Sequence, residues 1–171
     1  GCSIGNIYIG CIMYADDIIL LSSSCIELQN MLNICHNIGC NLGIKFNANK
    51  SMCLQIGSSR LLKPPCMFIG NDNLRWNDCI KYLGVHIKSD KRFSIDFSYV
   101  KRKFYIAVNS ILNKCNYVCD IVKLELIEKQ CLPILFYCIE CMNLKNDQLT
   151  ELNVSVNSIY RKIFHYNKWE S

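Results

Sequence analysis

The sequence predicts an α+β protein in two parts, a β-rich part with one packed helix over 1–92 and a helical part over 93–171. Two observations point there. Up to about Ile87 the apolar residues come in short runs broken by Gly, Asn and Asp, as strands and turns require. Beyond Asp96 they recur at three- and four-residue spacing, as amphipathic helices require. The 171 residues, 51% hydrophobic and 19% charged, can bury one sizeable core or two small ones and are too apolar for a disordered chain.

The elements are taken in chain order. "IGNIYIGCIMYADDIILLSSS" gives an apolar strand, a tight break at Ala15 and Asp16, and a second apolar strand, which together make a hairpin. "SCIE", beginning at Ser24, is a capping box that starts a helix. Leu28, Met31, Leu32, Cys35 and Ile38 then recur at helical spacing, and Gly39 is placed to end it. "NLGIKFNANKSMCLQIG" carries short strands around an "NANK" turn. "CMFIG", "NDN" and "LRW" give a strand, a turn and a strand, and "CIKYLGVHI" is a strand pair or bent strand with Gly84 at the bend. These strands are expected to form an antiparallel sheet carrying the helix. In the second part Phe97, Val100, Phe104, Val108, Ile111, Leu112 and Cys115 trace one helical stripe. A second helix is expected from about Val122 to Cys141, kinked at Pro133, and a third from about Asp147 to Tyr166.

Composition narrows the function classes. No apolar run reaches 18 residues, so no membrane span or membrane partner is expected. The chain begins at Gly1 with no basic segment leading into an apolar one, so no signal peptide is expected and the sequence reads as a fragment or processed piece. Thirteen cysteines, odd in number and scattered, fit free buried thiols in a reducing compartment. The expected location is intracellular, nuclear or cytoplasmic, and not secreted. Cys115 with Cys119 and Cys138 with Cys141 have spacings that zinc can use, with His36 or His165 as further ligands. Cys138 and Cys141 stand in an apolar run that reads as core, so zinc is the weaker reading. The net charge is +5, and "KRFSIDFSYVKRK" holds five basic residues against one acid with three aromatics interleaved. That suits a phosphate backbone, and equally a solvated helix face with its aromatics turned inward.

Asp16 and Asp17 interrupt the apolar hairpin. Neighbouring side chains of a strand point to opposite faces, so two adjacent aspartates cannot share one solvent layer unless the alternation lapses at a tip. As turn residues they are half explained, because no glycine accompanies them. As hard oxygen ligands they suit a divalent metal bound together with substrate phosphates.

"IMYADDIILL" resembles the catalytic hairpin of reverse transcriptases, most closely those of non-LTR (LINE-type) retrotransposons. The downstream segments are similar in kind and in order: the palm helix "CIELQNMLNICHNIG", then "GIKFNANKS" with Asn47 and Lys50, then "IKYLGVHI", like the segment that grips the primer. "CLPILFYCIECMNL" resembles a retrotransposon stretch at Leu132, Pro133, Tyr137 and Glu140, with Cys138 in place of the usual glycine. The resemblance implies a partial polymerase palm over 1–92 and a thumb-like helical region over 93–171. It implies RNA-directed DNA synthesis by two-metal nucleotidyl transfer, with Mg²⁺ or Mn²⁺ as cofactor and an RNA template, a DNA primer and deoxynucleoside triphosphates as partners in the full-length parent.

Asp16 would be the main metal ligand and Asp17 its supporting partner, both catalytic. Tyr14 would lie beside the incoming nucleotide or the primer-terminal base pair, or else be a core aromatic at the strand end. Lys50 would neutralise the triphosphate or protonate the leaving group, unless it is only a lysine in an Asn-rich turn. Tyr82, Leu83 and Gly84 would position the primer backbone, and Lys101, Arg102 and Lys103 would contact template–primer phosphates. The third carboxylate, the fingers and the upstream palm strands of such enzymes have no counterpart in this sequence. The resemblance therefore implies a piece that is inactive by itself and leaves the hairpin with an unpaired apolar edge. Two alternatives are a non-catalytic remnant that binds nucleic acid through its basic helix, and a structural or partner-binding protein whose aspartates are turn residues.

Overall fold

The computed structural model describes residues 1–57, 64–141, 144–167 and 169. Its elements are α+β, divided into two compact units, Gly1–Tyr82 with Ile87–Ser94 and Leu83–His86 with Ile95–Ser171.

The first unit opens with two hairpins where the sequence suggests one. β1 (Ser3–Ile4) and β2 (Ile7–Tyr8) pair antiparallel in a small sheet. β3 (Cys11–Tyr14) and β4 (Asp17–Leu20) then form the expected hairpin around Ala15 and Asp16. Helix α1 (Cys25–Leu42) starts at Ser24, whose hydroxyl accepts from the Glu27 N–H at 3.2 Å. Only half of the expected capping box forms. The Glu27 carboxylate accepts from the Ser22 hydroxyl at 3.1 Å, which holds it below the usual range, and the Ser24 N–H donates to Ser22 instead.

The helix also runs past its predicted stop. Gly39 is a buried helical residue, and a Cβ there would meet the Ile44 carbonyl oxygen and the Phe46 ring at 2.9 Å. The terminator is Gly43, in the left-handed region at φ 70°. The buried face accordingly runs through Leu28, Leu32 and Gly39, and Ile38 points to solvent.

The later strands of this unit do not form the single antiparallel sheet expected of them. β5 (Met52–Cys53) pairs parallel with β7 (Asp72–Trp76), which pairs antiparallel with β6 (Met67–Ile69), so strand order is β5-β7-β6. No strand forms between Ile44 and Asn47, although the "NANK" turn predicts one on each side. Leu32, Cys53, Met67, Ile69 and Leu74 are the core of this unit, with Leu20, Leu28, Phe46 and Trp76 packed against it. The short β8 (Cys79–Tyr82), β9 (Val85–Lys88) and β10 (Ser94–Ile95) lie where the chain passes between the units.

In the second unit α2 (Phe97–Lys114) is capped by Asp96, whose carboxylate accepts from the Ser98 N–H at 2.9 Å. The predicted stripe holds: Phe97, Phe104 and Val108 are buried, and Val100, Ile111 and Leu112 lie against the core. The second expected helix is broken rather than kinked. α3 (Asp120–Gln130) stops before Pro133, which stands in the first turn of α4 (Leu132–Phe136), where its missing N–H leaves no bond unmade. A 3-10 turn, Ile139–Cys141, comes next. Met142 and Asn143, part of the stretch that resembles retrotransposon enzymes, lie outside the described residues, as does the Cys141 side chain. α5 (Asn146–Phe164) then brings Leu152, Ile159 and Ile163 onto Phe104, Val108, Ile127, Cys131 and Leu135.

All twelve described cysteines are free, yet only Cys53 and Cys131 are buried, which corrects the expectation of buried thiols throughout. Burial, with a smaller contribution from Cys25, pushes the Cys53 thiol up to about 11. A folded value raised above the ordinary 9.0 means that the unfolded chain releases the proton first. Stability should therefore be full below pH 9 and fall by roughly 2 kcal/mol as pH rises toward 11. Urea titrations across that window should show the loss, and Cys53→Ala should reduce it, leaving the contributions of Cys35 and Cys131, whose thiols burial also raises. Phe104→Ala, at a side chain 0% exposed, should cost about 3–5 kcal/mol in the same assay.

Candidate functional site

The register of the central hairpin, Cys11↔Leu20 through Tyr14↔Asp17, leaves Ala15 and Asp16 as a two-residue loop. Ala15 takes a left-handed φ of 49°, where such turns prefer glycine, so the tip is held at some cost in backbone strain. Asp16 stands in the loop and Asp17 opens β4, and both are exposed. Neither carboxylate has an ion-pair or hydrogen-bond partner among the described residues. Two adjacent unpaired carboxylates at an exposed tip repel each other, and a divalent cation removes that repulsion. Mg²⁺ typically takes one or two carboxylates beside waters and substrate phosphates, so this pair fits as part of a donor set. Among the described residues no group of three His, Cys, Asp or Glu side chains could hold a metal.

The same hairpin is apolar and uncovered. β3 and β4 form a two-stranded sheet. Ile12 is 47%, Met13 70% and Tyr14 63% exposed, which rules out a core role for Tyr14 in this unit.

Lys50 is exposed in a turn that Asn47 builds. The Asn47 side-chain carbonyl accepts from the N–H groups of Asn49 at 3.1 Å and Lys50 at 3.3 Å, and its backbone carbonyl accepts from Ser51 at 3.0 Å. Beside the turn an open cleft of about 430 Å³ is lined by Lys45, Phe46, Asn47, Ala48, Asn49, Asp72 and Asn73. Lys50 makes no ion pair with Asp16 or Asp17 among the described residues.

The Tyr82 hydroxyl is buried with no hydrogen-bond partner among the described residues. Leu83 and Gly84 both take positive φ, 44° and 84°, the backbone of a type I′ turn. Tyr137 packs on that turn. Its hydroxyl donates to the Leu83 carbonyl at 3.0 Å, and a Cβ on Gly84 would lie 3.1 Å from its ring. The next residue, Cys138, has φ 59°, a conformation in which a side chain is strained. The "YLG" and "LPILFYC" segments, distant in sequence, thus meet in the second unit through Leu83, Gly84 and Tyr137.

The basic triplet is not uniform. Lys101 is ion-paired with Glu151 of α5. Arg102 and Lys103 are exposed and lie over the Tyr99 ring, at 5.5 and 4.8 Å from its centroid.

Comparison with known families covers the first of these features. Residues 4–87 match the family model of the reverse transcriptase (RNA-dependent DNA polymerase). The aspartate tip, α1, the Lys50 turn and the Tyr82–Leu83–Gly84 segment all fall inside the matched residues. Helices α2 to α5, with the basic triplet and Tyr137, lie beyond it. No curated protein and no solved structure matches the chain.

Several residues of these sites left no mark in the sequence. Glu151, the partner of Lys101, reads as an ordinary surface residue, and Lys45 and Asn73 of the cleft read as turn polarity. Tyr99 shows in the sequence only as one of three aromatics interleaved with the basic residues. Cys138 did leave a mark, since it stands where the resembling stretch carries glycine. Cys138→Gly should raise stability by about 1 kcal/mol, seen as a later urea midpoint. Gly84→Ala, strained in φ and crowded by Tyr137, should lower it by about 1–2 kcal/mol.

Proposed function

We propose that the chain is part of an RNA-directed DNA polymerase of the non-LTR retrotransposon type, with 1–92 a portion of the palm and 93–171 a thumb-like region. The observation that carries this reading is a pair of exposed carboxylates, without partners among the described residues, at a strained hairpin tip inside a stretch that matches reverse transcriptases. Asp16 is the principal ligand for Mg²⁺ or Mn²⁺ and Asp17 the supporting one. The bound metals supply activation of the primer 3′-hydroxyl and stabilisation of the departing pyrophosphate.

Around them this chain's own residues bind and orient. Tyr14, exposed beside the tip, offers its ring to the incoming nucleotide or the primer-terminal pair. Lys50 brings a positive charge toward the triphosphate. Tyr82, Leu83 and Gly84 hold the primer backbone, and the exposed cations of α2 hold phosphates of an RNA template paired to a DNA primer. A third carboxylate comes from upstream palm strands, which also cover the apolar side chains of β3 and β4. On this reading the protein acts inside the cell, in the nucleus or cytoplasm.

Primer extension tests this reading directly. With an RNA template, a DNA primer, deoxynucleotides and Mg²⁺, the chain alone should give no product. Joined to an upstream half bearing fingers and an acid-bearing palm strand, it should extend the primer, and Asp16→Asn in the joined protein should lower the rate by at least ~100-fold. Extension by the chain alone would refute the proposal, as would full activity of the Asp16→Asn protein.

A further inference from the structure

We propose that the basic stretch of α2 is divided in use. Arg102 and Lys103, ordered against Tyr99, form a two-cation seat for backbone phosphates of a nucleic-acid strand, while Lys101 is a packing cation committed to Glu151. The inference rests on the nucleic-acid reading above and assigns its contacts within the triplet.

Helical spacing makes the seat. Tyr99, Arg102 and Lys103 stand at i, i+3 and i+4, so both cations fall on the side of the helix that carries the Tyr99 ring. The Arg102 guanidinium carbon is 5.5 Å and the Lys103 ammonium 4.8 Å from the ring centroid, within the range of cation–π attraction. An aromatic face orders a cation without neutralising it, so the charge stays available to an anion. The ring is itself held: His86 of β9 packs on it with centroids 4.1 Å apart and planes tilted by 49°.

Lys101 differs in both surroundings and charge. Its side chain is only 21% exposed, and its ammonium is paired with the Glu151 carboxylate. A nucleic acid would have to displace that carboxylate before a phosphate could take its place. From Phe97 to Lys114 helix α2 contains no acidic residue, so its own charges are all positive. Glu151 is the acid paired into this stretch, and it spends its charge on Lys101. Phosphate contacts of this kind fix position rather than sequence, so the seat should bind without base preference and with marked salt dependence.

The test is fluorescence anisotropy of a labelled RNA–DNA duplex titrated with the full chain over a series of NaCl concentrations. Arg102→Ala and Lys103→Ala should each weaken binding and make the log–log salt slope shallower by about one, as loss of one phosphate contact predicts. Lys101→Ala should leave the slope unchanged, whereas Glu151→Gln, which releases the Lys101 ammonium, should make it steeper by about one. Tyr99→Leu should weaken binding about threefold to tenfold with the slope retained, because the cations remain but lose their order, and Tyr99→Phe should restore wild-type affinity. Circular dichroism spectra matching wild type confirm that each variant is folded, and Glu151→Gln tests the division without touching a cation should Lys101→Ala unfold.

A slope that falls as much for Lys101→Ala as for Arg102→Ala, in a wild type that binds, would overturn the division. Failure of Tyr99→Phe to restore binding lost in Tyr99→Leu would overturn the role of the ring. Absence of wild-type duplex binding at low salt, or equal binding to vesicles of anionic phospholipid, would instead overturn the nucleic-acid reading on which the proposal stands.

Discussion

One side-chain amide anchors the first unit. Gln29 of α1 donates to the Phe68 carbonyl at 2.8 Å and accepts from the Phe68 N–H at 2.9 Å, so it pairs with β6 as another strand would. A sheet edge otherwise leaves its backbone groups unpaired, and a helix packed on apolar contacts alone could slide along it. The pair of hydrogen bonds fixes α1 against β6 in both position and direction. Leu32, Met67 and Ile69 then close the core, and Leu20 reaches it from the end of β4. The carboxylate tip is therefore tied to the unit through one strand end, while its apolar flanks stay exposed. The small core of five buried residues does not extend to those flanks.

The second unit is organised by packing at a larger scale. Phe104, Val108, Ile127, Leu135, Leu152, Ile159 and Ile163 meet from four helices, and Pro133 sets where one predicted helix becomes two. Three of its left-handed residues gather where the chain must turn sharply. Leu83 and Gly84 turn beneath Tyr137, and Cys138 turns immediately after it. A hydroxyl bond and a ring contact there hold two strained turns together, a cost that the buried helical core offsets. The charged surface obeys the same hierarchy. Glu151 decides the use of Lys101 by lying next to it, and Tyr99 orders its neighbours by helical spacing.

Legibility in the sequence tracked the range of each interaction. The hairpin around Ala15 and Asp16, the Ser24 cap, the α2 stripe and the positive-φ bend at Gly84 were readable, because turns and caps are settled within about four residues. Gly39 misled for the same reason. A glycine near a helix end looks like a stop, and only Phe46 and the Ile44 carbonyl show that it is there for close approach. The single antiparallel sheet failed because pairing partners of such short strands are not encoded locally. Met52 and Cys53 lie parallel to Arg75 and Trp76, across more than 20 residues of chain.

By itself the sequence determined two adjacent carboxylates at an exposed hairpin tip, a capped helix behind them, a helical second half, and a likeness to reverse transcriptases in general, which the family match supports over residues 4–87. Those features arise from covalent geometry, local hydrogen bonding and apolar period. Tertiary structure alone decided that Gln29 clamps Phe68, that Tyr137 closes on Leu83, and that Lys101 belongs to Glu151, pairs separated by 39, 54 and 50 residues. Their partners are chosen by which surfaces the packed cores bring together, and no local pattern of residues carries that choice.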